Sequence, residues 1–217
     1  MASGLNSGIN PEDVRKALTK LNTDYTNMMD CFKQTVQKFV DDIGKQWASP
    51  NAVNFFKSSE GVEFILKKLS NDINTSLKSV NSSINSAAER KASDNGSTFN
   101  RISFNDYTLT INYSSIVDNI NGDVGVDKDN AETTANGLKN AIDDANTNLD
   151  CIRKTLETSG ILDSVSQSTL NESVVTIKTN ISTAIEDIVD TSIESIKLTV
   201  EQNGDSDGAI ANAFRGQ

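Results

Sequence analysis

The side chains most able to do chemistry are neighbouring carboxylates at Asp41 and Asp42, Asp143 and Asp144, and Glu186 and Asp187, together with two thiols, Cys31 and Cys151. Paired carboxylates serve as general acid and base when their environments push their proton affinities apart. These pairs lie in stretches of helical periodicity, where such acids belong to the solvated face. The chain contains no histidine to act as a base. It also carries no glycine loop that could cradle phosphate and no HExxH-like metal helix. Two cysteines without histidine are too few for the usual zinc ligand sets and for a disulfide scaffold. Each cysteine falls within an apolar helical stripe, so we read both as small buried hydrophobes, with a bridge between them left open. Residues 118–129, with Asn119, Asn121, Asp123, Asp127 and Asp129 around Gly122 and Gly125, are oxygen-rich like a calcium loop. Their spacing does not follow the EF-hand pattern and no glutamate closes the loop, so we read a solvated linker. We expect no catalytic residue, no cofactor and no metal: the chain is not an enzyme.

What must position the rest is helix. Asn10-Pro11-Glu12-Asp13 is a helix entry, with a cap residue, proline at the first helical position and two acids at the positive end of the dipole. From there Val14, Leu18, Leu21, Tyr25, Met28, Phe32, Val36, Phe39 and Ile43 recur at steps of three and four, predicting one helix over 11–46. Pro50 cannot continue that ladder and sets a turn at 47–51. A second helix follows over about 51–92, kinked near 58–61, with Val62, Leu66, Leu69, Ile73, Leu77, Val80, Ile84 and Ala88 on one face. Two long helices joined by a short turn form an antiparallel hairpin. Helical periodicity returns with Leu138, Ala141, Ala145, Leu149, Ile152 and Leu156, breaks at Thr158-Ser159-Gly160, and resumes over 168–202 with Leu170, Val174, Ile177, Ile181, Ala184, Ile188, Ile196 and Val200.

Between the hairpins, residues 93–129 turn to Asn, Asp, Gly and Ser, with apolar alternation through Phe99, Phe104, Tyr107, Leu109, Ile111 and Tyr113. We expect a small β-hairpin turning at Asn105-Asp106 and lying on the bundle or on a neighbouring molecule. Residues 203–217 read as a flexible tail with an apolar end at Ile210 and Phe214. The expected fold is all-α: a four-helix bundle from two antiparallel helical hairpins, with a small β-hairpin insertion between them. Its parts are residues 1–92, 93–129, 130–202 and 203–217.

The third helix reads as a repeat of the first, with the chance agreement of two amphipathic seams as the alternative. Residues 29–37 lie over residues 149–157 with Asp30, Cys31 and Thr35 matching Asp150, Cys151 and Thr155, and the register continues upstream, Leu18 with Leu138 and Tyr25 with Ala145. A net charge of -10 repels phosphate backbones and anionic lipid, so nucleic acid is not an expected partner. No window approaches the roughly 18 consecutive apolar residues of a membrane helix, and Met1-Ala2-Ser3-Gly4 does not open a signal peptide.

A long helix, a turn built on Trp47-Ala48-Ser49, then Ala52 and Phe55 or Phe56 in a second long helix, resembles the WXG superfamily, the small helical-hairpin proteins exported by type VII secretion. The resemblance covers residues 10–92. It implies leaderless export and two hairpins packed as a four-helix bundle, here fused in tandem within one chain. Ser49 stands where the motif has glycine, Gln167 where a second Trp would fall, and no Tyr with an acid four positions later follows the second hairpin.

The functional expectation is a non-enzymatic interaction protein resembling type VII secretion substrates, acting through a protein partner or self-association. It would be secreted without a cleaved signal peptide or belong to an extracellular assembly, with a cytoplasmic location also open. The alternatives are a structural subunit of a filament, sheath or virus particle and, behind it, a helical pore-forming toxin. The candidate turn motif is Trp47, Ser49, Ala52 and Phe55. The candidate docking surface is Phe99, Phe104, Tyr107, Tyr113 and Phe214.

Overall fold

In the computed structural model, residues 10–118 and 125–215 are described, with side chains through residue 203. Asn119, Asn121, Gly122 and Asp123 of the oxygen-rich segment, and the side chains of Ile210 and Phe214, lie outside the described residues. The fold is all-α, a four-helix bundle of two antiparallel helical hairpins with one small antiparallel strand pair. In chain order it comprises α1 (Pro11–Gln46), β1 (Trp47–Ala48), α2 (Pro50–Lys57), α3 (Val62–Asp94), β2 (Gly125–Val126), α4 (Lys128–Gly137), α5 (Asn140–Thr158) and α6 (Ser164–Arg215).

Helix ends follow local chemistry. The Asn10 carboxamide accepts from the Glu12 N–H at 3.0 Å, and Pro11 opens α1. The Ser49 hydroxyl accepts from the Ala52 N–H at 3.0 Å and Pro50 opens α2. The expected kink is a full break, 58–61, separating α2 from α3. Gly96 and Gly160, at φ of 67° and 70°, supply the left-handed residue beyond α3 and α5. Helix α6 continues to Arg215, through the segment expected to be a tail. Gly204 and Gly208 cost a helix only about 1 kcal/mol each, and no proline intervenes to stop it.

The chain forms two compact units. Unit 1 takes Met1–Asp30, Ser70–Thr108 and Ala145–Asn180, and unit 2 takes Cys31–Leu69, Leu109–Asp144 and Ile181–Gln217. Helices α1 and α6 therefore run from unit 1 into unit 2, while α3 and α5 run from unit 2 into unit 1. In unit 1 the core gathers Val14, Leu18, Leu21 and Tyr25 of α1, Ile73, Leu77 and Ile84 of α3, Leu149 and Ile152 of α5, and Leu170 and Ile177 of α6. In unit 2 it gathers Phe32, Val36, Phe39 and Ile43 of α1, Phe56 of α2, Ala131 and Ala135 of α4, and Ile181, Ile185 and Ile188 of α6. Ile185 turns inward where the spacing had suggested Ala184.

The repeated register is also a repeated burial pattern: Leu18, Leu21, Tyr25, Met29, Phe32 and Val36 are buried, and so are Leu138, Ala141, Ala145, Leu149, Ile152 and Leu156. Cys31 and Cys151 share a different fate. Both are exposed and neither forms a disulfide, which corrects their assignment to the apolar stripe. Each sits one residue before the buried Phe32 or Ile152, and one residue rotates a helical side chain by about 100°, enough to bring it to the surface.

The expected hairpin over 99–113 does not form. The one strand pair among the described residues joins the two ends of the inter-helix connections, Trp47 opposite Val126 and Ala48 opposite Gly125. Residues 97–113 carry no ladder at all and run as irregular, extended chain.

Candidate interaction site

The alternation in residues 99–116 is real, but its partners are helices. Phe99, Leu109 and Ile116 are buried, at 8%, 6% and 2% exposure, and Ile102, Phe104, Tyr107, Ile111 and Tyr113 are half-buried, while the polar residues between them, half-buried Ser115 excepted, face out. An isolated two-stranded ribbon is marginal in water. Here the main chain finds its hydrogen bonds on carboxamide side chains instead.

In unit 1 three asparagines hold the segment. Asn85 of α3 accepts from the Ile102 N–H at 2.9 Å and donates to the Ile102 carbonyl at 3.0 Å. Asn74 of α3 does the same for Tyr107, accepting at 2.8 Å and donating at 2.9 Å. Asn22 of α1 spans two residues, accepting from the Asn105 N–H at 3.0 Å and donating to the Ser103 carbonyl at 2.9 Å. Both faces of the amide are used each time, as a neighbouring β-strand would use its own N–H and C=O. Asn74 also accepts from the Tyr25 hydroxyl at 2.6 Å, and the Tyr25 ring stacks on Phe104 with centroids 5.2 Å apart. Burial, reinforced by Asp106 and Tyr107, pushes the Tyr25 hydroxyl well above its ordinary range. The Tyr107 hydroxyl donates to Asp30 at 2.6 Å. Burial and that carboxylate push it up to about 12. Ion pairs at the rim join Arg101 to Glu89 at 2.8 Å and Lys78 to Asp106 at 3.3 Å.

In unit 2 the same device recurs once: Gln37 of α1 accepts from the Asn112 N–H at 2.8 Å and donates to the Asn112 carbonyl at 2.9 Å. Tyr113 packs on Phe56 at 6.2 Å, its buried hydroxyl without a hydrogen-bond partner. Burial, with Glu63 nearby, pushes that hydroxyl upward. The Lys57 ammonium donates to the Ile116 carbonyl at 3.2 Å, and the Ser49 N–H donates to the Val117 carbonyl at 3.2 Å. A Cβ added at Gly44 would collide with the Ser115 main chain, so the close approach of α1 to this segment requires glycine.

The turn motif also belongs to unit 2. Trp47 is fully buried, its indole N–H donates to the Thr199 hydroxyl at 3.1 Å, and its ring lies 5.8 Å from Phe55. Asn51 donates to the same hydroxyl and to Gln202. Ser49 and Ala52 are buried beneath them. The structure thus brings Trp47, Ser49, Ala52 and Phe55 together, as a packing anchor with no ring face left for a ligand. A cleft of about 300 Å³ beside it runs between α2 and α6, lined by Asn51, Phe55, Ile65, Thr191, Ser195 and Leu198.

The candidate docking residues fare differently. Phe99, Phe104, Tyr107 and Tyr113 lie against the chain's own helices and are not a free surface. The asparagines that hold them were not read from the sequence. The signal was present in α3, where Asn74 and Asn85 each follow a core residue, Ile73 and Ile84. The carboxylate pairs stay on the surface or half-buried. Hydrogen bonds from Lys38 and Lys45 hold the Asp42 carboxyl below its usual value. Among the described residues no group of three or more His, Cys, Asp or Glu could hold a metal ion. No protein-family model matches the chain, and neither the curated proteins nor the solved structures contain a significant match.

Proposed function

We propose that this chain is a non-enzymatic interaction protein, a tandem relative of the WXG hairpins exported by type VII secretion. The observation that carries the reading is the Trp47 turn. A fully buried tryptophan, tied to Thr199 and packed on Phe55, closes the first long hairpin, and the same chain supplies the second hairpin that completes four helices. No helix among the described residues is long and apolar enough to cross a membrane. The filament or virus-particle alternative drew on a β-hairpin and an apolar-tipped tail as docking elements; Phe104 and Tyr107 lie instead on α1 and α3, and Tyr113 on Phe56 of α2, while the side chain of Phe214 lies outside the described residues. Export decides the matter: in the producing cell, deleting the type VII secretion motor should deplete the chain from the medium and accumulate it inside. Unchanged extracellular levels would overturn the reading.

A further inference from the structure

Residues 102–107 are held by chemistry that recognises peptide main chain rather than side chains. Asn85, Asn74 and Asn22 together satisfy three N–H and three C=O groups, at residues 102, 103, 105 and 107, and none of those bonds reaches a side chain of the segment. Selectivity comes from side chains between and before the pins: Phe104 stacks on Tyr25 between them, and Phe99 is buried ahead of the first. We infer that the face of α1 and α3 bearing Asn22, Asn74 and Asn85 is a binding groove for an extended polypeptide, with residues 99–108 as its resident occupant and the same segment of a second copy of this chain as the ligand that can replace it.

A second copy is the occupant because its segment reproduces every pin and every ring contact without a new interface, the condition under which segment exchange costs least. The segment has no ladder of its own to lose on leaving. Its leading end follows the exposed turn at 95–96 beyond the end of α3, where Gly96 has nothing within 4 Å of the position a Cβ would take. The resident holds the groove at an effective concentration on the order of millimolar. Exchange therefore shows itself when the resident is loosened, because apparent affinity scales with the fraction of grooves that are open.

The probe is a fluorescent peptide of residues 98–110, titrated into the full chain, wild type and Phe104→Ser, by anisotropy. The substitution weakens the resident and leaves the groove intact. The expected result is at least tenfold tighter binding to Phe104→Ser than to wild type. Binding should be lost when Asn74→Leu is added, or when the peptide is N-methylated at the Tyr107 nitrogen. Equal binding of the methylated and unmethylated peptides would overturn main-chain recognition. Equal binding of an unrelated peptide with the same apolar alternation would overturn the second copy as the specific occupant. If Phe104→Ser does not fold, two Cys31→Ser, Cys151→Ser chains are mixed at millimolar concentration, one carrying Thr26→Cys, which lies beside Asn105 but pins nothing, and the other Asn105→Cys. A disulfide heterodimer exceeding that of a Thr108→Cys control supports exchange, and parity with the control overturns it.

Discussion

Asn74→Ala tests the pinning directly. Asn74 is 9% exposed and its carboxamide serves three groups: the Tyr25 hydroxyl at 2.6 Å, the Tyr107 N–H at 2.8 Å and the Tyr107 carbonyl at 2.9 Å. Truncation leaves the carbonyl with the Ser70 hydroxyl at 3.2 Å but strands the other two donors. A buried polar group left unpaired costs about 1–3 kcal/mol, so the expected loss for the two is about 2–6 kcal/mol. Asn22→Ala is the control, because it removes the same pair of bonds at an exposed site where water can replace them. Its expected cost is about 1 kcal/mol or less. Urea unfolding followed by far-ultraviolet circular dichroism gives both values, provided the slopes match. Hydrogen exchange at the Tyr107 amide should accelerate in Asn74→Ala. If Asn74→Ala costs no more than Asn22→Ala, or the Tyr107 amide stays protected, the carboxamide is not what holds the segment.

Gly44→Ala should destabilise by about 1–3 kcal/mol through overpacking against the Ser115 main chain, although alanine at an exposed helical site would gain about 1 kcal/mol; a rise in the urea midpoint would sink the close-approach argument. Cys31 and Cys151, both exposed and unbridged, should react fully with a thiol reagent in the native state, and labelling that waits for denaturant would contradict their placement. Burial pushes the Asp163 carboxyl up, but hydrogen bonds from the Ser166 N–H and hydroxyl and the Arg90 guanidinium outweigh it, leaving it below its ordinary value. Its contribution is therefore present above the ordinary carboxyl value of about 3.9 and lost as pH falls through the lower folded value. The stability gap between wild type and Asp163→Asn, read as urea midpoints, should shrink from pH 5 to pH 2, and a gap that widens would reverse the sign.

The helices were legible because burial repeats with the helical period. All nine seam residues named for α1, from Val14 to Ile43, are buried, and Asn10-Pro11 marks a true helix start, while Ser49-Pro50, read as part of the turn, opens a helix as well. Alternation over 99–113 was legible as an extended segment with one face covered. It could not say what covers it, since a sister strand and a row of helix side chains impose the same period of two. Asn74 and Asn85 were hidden for a related reason. A polar residue beside a seam position reads as the edge of the solvated face, and only the presence of another chain segment over that edge makes it interior. Cys31 and Cys151 failed in the opposite direction, one position from the seam and on the open side.

The connection explains why such pins exist. Helix α3 ends in unit 1 and α4 begins in unit 2, so the residues between them must travel from one unit to the other. Left loose, a link of this length would cost little. Ordering it costs about 1–2 kcal/mol per residue, which the pins and alternating burial must offset. The pins alone cannot set its register, because a carboxamide accepts the main chain of any residue but proline. A slide of one residue turns the apolar face to solvent. A slide of two still leaves main chain for the pins, but because the inward positions pass from even to odd residues between Phe104 and Tyr107 it breaks the alternation there and replaces Phe104 over Tyr25 with either Ile102 or the charged Asp106. Carboxamides therefore hold the main chain while the Phe104–Tyr25 stack selects the register, and weakening that stack should loosen or shift the segment before it disturbs the helices beneath.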